Sequence, residues 1–148
     1  MRDWESQKLW RAVLAAMLLP LALIAFWPSP VDQPVHGQLA DVLEFLHAHG
    51  IPAWFNYQFV EASANVALFI PLGAVAGLAY PKRPWWQLGI LGFMVSGCIE
   101  LGQLLFLHNR FASLLDIVTN TGGAVIGALL AAAALRRLQA HRLSAQGL

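Results

Sequence analysis

The sequence predicts an all-α membrane protein with four transmembrane helices, both termini in the cytoplasm and a short amphipathic helix in the first outer loop. Three observations carry that expectation. The 148 residues are 58% hydrophobic and only 11% charged, less than half the roughly 25% charge of an ordinary soluble domain. Apolar runs close to the ~20 residues that cross ~30 Å of hydrocarbon recur along the chain. The basic residues gather in alternate connections, as topology signals do. Nine basic against eight acidic residues, a net charge of +1, leave no excess for phosphate neutralisation, so the bilayer and not a nucleic acid is the expected partner. Cys98 is the sole cysteine, which excludes an internal disulfide. The length fits one domain, residues 1–148.

The first span covers residues 9–27, with Arg11 near its start and Pro20 inside. Arg2, Lys8 and Arg11 ahead of an apolar run also suit a secretory signal. However, Ala25-Phe26-Trp27-Pro28 offers no small-x-small cleavage site, and Trp27 suits a membrane interface, so an uncleaved anchor is expected. Pro28, Pro30 and Pro34 open the outer loop, 28–58. Within it Leu39, Val42, Leu43 and Leu46 recur at helical spacing, and Gly50 and Pro52 follow. Such a stripe reads either as a helix lying on the outer leaflet or as one packed on the outer end of the bundle. Trp54, Phe55 and Tyr57 sit at headgroup level in the first case.

The second, third and fourth spans cover residues 59–80, 85–107 and 114–135. Lys82 and Arg83 lie between the second and third, and Arg136, Arg137 and Arg142 follow the fourth. With Arg2, Lys8 and Arg11 at the start of the chain, these eight fall on one side and Arg110 alone falls on the other. The positive-inside rule puts the eight in the cytoplasm.

Ionisable groups cost roughly 2.5–3.5 kcal/mol at the centre of a membrane helix, so each one inside a span needs a reason. The list is short: Glu61 and Asn65 on the second helix, Glu100 and Gln103 on the third, Asp116 and Asn120 on the fourth. At 1.5 Å per residue, Asn65, Glu100 and Asn120 lie about 9–11 Å inside the outer boundary, and the other three within about 6 Å of it. Glu61/Asn65 and Asp116/Asn120 are i,i+4 pairs and Glu100/Gln103 is i,i+3, so each pair shares one face. Gly73-x-x-x-Gly77 and Gly123-x-x-x-Gly127 let the helices approach closely. A polar pocket between these three helices, open outward and capped by Arg110, is the expected arrangement. Three carboxyl groups against one guanidinium call for a proton on one of them, Glu100 being the deepest, or for a cation.

The segment from Asn65 to Gly73, N-x-x-L-F-x-P-L-G, followed in order by Glu100-x-x-Gln103, Arg110, Asp116, Asn120-Thr121, Gly123 and Gly127, resembles the VanZ-like family of small bacterial membrane proteins. The resemblance covers roughly residues 60 to 131. It departs at Ser113, where many relatives carry an acid, which removes one carboxylate near the mouth. The first helix and the 28–58 loop carry no recognised motif. The resemblance implies a multi-pass protein of the bacterial cytoplasmic membrane associated with low-level resistance to teicoplanin, a lipid-bearing glycopeptide that acts at the outer face.

Three functions fit. In the first, Glu61, Asn65, Gln103, Arg110 and Asn120 bind the head group of an envelope lipid or lipoglycopeptide, with Arg110 on phosphate or carboxylate. In the second, Glu100 and Asp116 act as acid and base in a lipid-modifying enzyme. No nucleophile elbow accompanies them, and Cys98 stands on an apolar stretch. In the third, the small-residue faces join a protein partner in envelope synthesis. No cofactor is expected, and His36, His47, His49 and His108 show no metal-ligand spacing.

Overall fold

A computed structural model describes residues 2–27, 36–107 and 113–145. Among them every regular element is a helix: α1 (Arg2–Ala25), α2 (His36–Ala48), α3 (Tyr57–Ala79), α4 (Trp85–Phe106) and α5 (Leu114–Ala145). Four of these, α1, α3, α4 and α5, are long and apolar enough to cross a membrane. Their outward faces carry Leu23, Phe93, Met94, Leu104, Phe106, Leu129 and Leu130, all exposed. Contiguous apolar surface on that scale is untenable in water and ordinary in lipid. The span boundaries agree with the sequence to within a few residues except at two ends: α1 begins at Arg2, and α5 runs on through Arg136, Arg137 and Arg142.

The α3/α5 pair forms the core. A Cβ on Gly73 would strike the Ala124 carbonyl, one on Gly123 the Val66 carbonyl, and one on Gly127 the Ile70 carbonyl. Only glycine permits that approach, because without a hydrophobic drive between helices the contact rests on dispersion and backbone proximity. Residue numbers rise together on the two helices along this contact, so α3 and α5 run parallel. Helix α4 runs antiparallel to α5: Gly89 lies against Val125 and Gly92 against Ala124. On the other side of α3, Leu14, Met17 and Leu21 of α1 pack on Phe69 and Leu72. The Arg11 guanidinium lies 4.9 Å over the Tyr80 ring, a cation–π contact that ties the start of α1 to the end of α3.

The C-terminal ends of α1 and α4 therefore share one end of the bundle with the N-terminal ends of α3 and α5. Among the described elements, helix α2 joins this end through α3. It buries Leu43 and leaves Val42 and Phe45 exposed. Gly50, at φ 95°, ends it, and the His47 ring donates from Nε2 to the Phe55 carbonyl at 3.0 Å. Trp54 and Phe55 then meet Phe59 at 5.1 and 5.2 Å between ring centroids. Asn56 caps α3 by accepting the Phe59 N–H at 3.1 Å.

Candidate functional site

Four polar side chains are buried in the described bundle: Ser96, Glu100 and Gln103 on α4 and Asn120 on α5. All lie toward the shared end. Their placement follows from helical arithmetic. Gly89, Gly92, Ser96, Glu100 and Gln103 fall on one stripe of α4, and its glycines already face α5. The same stripe carries the polar groups onward past the last glycine.

Along the α4/α5 seam the contacts come in two tiers. Deeper in, the Asn120 amide donates from Nδ2 to the Ser96 hydroxyl oxygen at 2.9 Å. Nearer the end, the backbone N–H of Ser113 donates to Glu100 Oε2 at 2.7 Å. Ser113 immediately precedes α5, and its own hydroxyl accepts the Asp116 N–H at 3.2 Å, which covers one of the helix-start amides left without an intrahelical acceptor. One short segment thus begins α5 and holds the α4 carboxylate. Gln103 turns to the other neighbour: its Nε2 donates to the Ala25 carbonyl at 2.8 Å. That carbonyl belongs to the last turn of α1. Beside this contact the Phe26 ring lies against Gly102, with ring carbons 2.6 Å from where a Cβ would be.

Asn65 is half-buried. It stands one helical turn before Phe69 on the α3 stripe that continues through Leu72 and Ala76. Asp116 is likewise half-buried, whereas Glu61, a further turn toward the end of α3, is exposed. Glu100, Gln103, Asp116 and Asn120 are thus brought to one end of the α4/α5 seam, with Asn65 at the same end of α3 and Glu61 at its rim. Arg110, expected to cap the site, lies outside the described residues, as do His108 and the prolines of the 28–35 stretch. Ser96 is a site residue that the sequence reading passed over, as is the Ser113 amide.

One buried polar side-chain atom in the described residues has no hydrogen-bond partner: Oδ1 of Asn120. Its residue is 5% exposed. Around it the seam offers carboxylates, amides and a hydroxyl; no three His, Cys, Asp or Glu side chains among the described residues come together as metal ligands would.

Neither a curated protein nor a solved structure matches the chain. A family model does, over residues 12–136. The match reaches back well beyond residue 60, taking in most of the first helix and the whole of the first connection, which carry no recognised motif of their own. It includes every polar group of the seam, and with all four membrane-crossing helices inside or overlapping its bounds, the chain belongs to the VanZ/LLP1 family.

Proposed function

We propose that this membrane protein presents the Glu100 end of its bundle to the outer face of the cytoplasmic membrane and binds there the polar head group of an envelope lipid or lipoglycopeptide. The observation that carries the reading is the burial of Ser96, Glu100, Gln103 and Asn120 together at one end of a lipid-facing bundle. Polar groups in hydrocarbon are costly and mark binding or transfer pathways more often than they mark simple packing. The opposite end carries Arg11, Lys82 and Arg83, and α5 adds Arg136, Arg137 and Arg142 beyond its apolar part. That asymmetry supports a cytoplasmic position for both termini.

In this reading Arg110 supplies the anion contact. In the sequence it stands three residues from Leu107 and three from Ser113, and a guanidinium suits the two-oxygen face of phosphate or carboxylate. Asn65, Gln103 and Asn120 contribute amides; the bond from Gln103 to Ala25 uses one of its two amide hydrogens. Glu61 and Asp116 stand at the rim. Teicoplanin, a glycopeptide with a lipid tail, is one molecule of this description, which links the site to antibiotic resistance or envelope biogenesis. Mass spectrometry of lipids copurifying from mild detergent tests the reading. Wild type is expected to retain a phosphate-bearing envelope lipid that Arg110→Ala loses at undiminished membrane abundance, together with any protection against teicoplanin. Equal lipid retention by the two proteins overturns it.

A further inference from the structure

The Asn120 side chain offers a sharper statement about what enters the seam. Its amide nitrogen is turned to Ser96, and that leaves the carbonyl oxygen buried with no donor. A buried carbonyl without a partner forfeits the hydrogen bond it makes in water, and in hydrocarbon nothing else supplies one. Natural structures leave few such groups, and those they leave are commonly completed by water or ligand. The neighbouring groups have the same sign. Glu100 lies one turn along α4 from Ser96, and Asp116 one turn along α5 from Asn120. Both are acceptors when ionised. Glu100 already accepts the Ser113 N–H, so it is the Asn120 carbonyl that awaits a donor, and the two acids near it disfavour bare anionic oxygen.

We infer that the deep part of the seam takes a protonated amine or hydroxyl of the ligand, donated to Asn120 Oδ1, while the anionic part of the same head group stays at the mouth. The inference rests on the head-group reading above and narrows it. The ligand class becomes an envelope lipid whose phosphate is followed by a donor-bearing group, such as a primary ammonium. A lipid ending in bare phosphate or in a quaternary ammonium lacks that donor.

Phosphatidylethanolamine and phosphatidylcholine separate the two ideas. Both are zwitterionic and carry a phosphate, but only the first has N–H donors. Native mass spectrometry of the full chain, titrated in micelles with each lipid in turn, is expected to show phosphatidylethanolamine retained about tenfold better, as one charge-assisted hydrogen bond allows. In Asn120→Leu, which keeps the approximate volume and removes the acceptor, the two lipids are expected to bind alike. Should that variant fail to accumulate, Asn120→Asp replaces it, and a stronger acceptor is expected to widen the preference. Equal retention by wild type overturns the inference while leaving the head-group reading intact, and the same holds for a preference that Asn120→Leu keeps or Asn120→Asp does not widen. Failure of both lipids to bind wild type overturns the two together.

Discussion

Glu100 accepts a backbone amide from the segment that begins α5, so its carboxylate helps to hold the α4/α5 connection as well as lining the seam. Replacing it separates these roles. Glu100→Gln keeps an oxygen for the Ser113 N–H and gives up the charge assistance, so a loss of about 1 kcal/mol is expected. Glu100→Leu leaves the amide without that acceptor in a part-buried place and is expected to cost about 2–3 kcal/mol. Reversible unfolding of the two variants in micelles measures the difference; equal destabilisation shows that the Ser113 contact carries no weight. The same residue explains what sequence reading reached and what it missed. The depths and faces of Glu100, Gln103, Asp116 and Asn120 follow from counting along helices, because ionisable and amide groups are conspicuous in an apolar run. Ser96 is not conspicuous, since a serine inside a membrane helix commonly bonds its own backbone and raises no demand for a partner. The Ser113 amide has no mark in the sequence at all, every residue but proline carrying one.

At the scale of the helices, the tightest contact is made by residues with no side chain. Gly73, Gly123 and Gly127 each press against a carbonyl of the facing helix, and backbone cannot step aside as a flexible side chain does. Gly127→Val is therefore expected to destabilise the bundle by at least the roughly 1–3 kcal/mol of overpacking. Gly122→Ala, which meets nothing within 4 Å, is expected to stay within about 0.5 kcal/mol of wild type. Thermal unfolding of the pair in one detergent decides it, and similar midpoints contradict a glycine-built interface. The G-x-x-x-G spacing pointed to close packing, and the spans were readable from hydropathy, but the identity of the partner was not. Which helix meets a glycine face depends on how all four are arranged, and a pattern within one helix holds no information on that. Gln103 illustrates the same limit: its face was predictable, its acceptor on α1 was not. The extension of α5 past residue 135 had no apolar signal to announce it, because a helix leaving the membrane continues on ordinary propensity.

For the molecule as a whole, orientation is the property most open to test. With Cys98 replaced by serine, Trp54→Cys and Ser144→Cys place single thiols at opposite ends of the bundle, both at exposed positions. A membrane-impermeant maleimide added to intact cells is expected to label the first and to reach the second only after lysis. The opposite pattern inverts the topology and with it the leaflet in which a ligand is sought. The parallel α3/α5 contact also bears on how the protein is made. Chains enter the membrane from the N-terminus onward, and α4 is synthesised between the two helices that touch most closely. Helix α3 must therefore wait in the lipid, its glycines facing acyl chains, until Gly123 and Gly127 have left the ribosome. The α3/α5 contact is withheld until the last span arrives, and a nascent chain cut after α4 lacks the surface on which α3 and α4 settle.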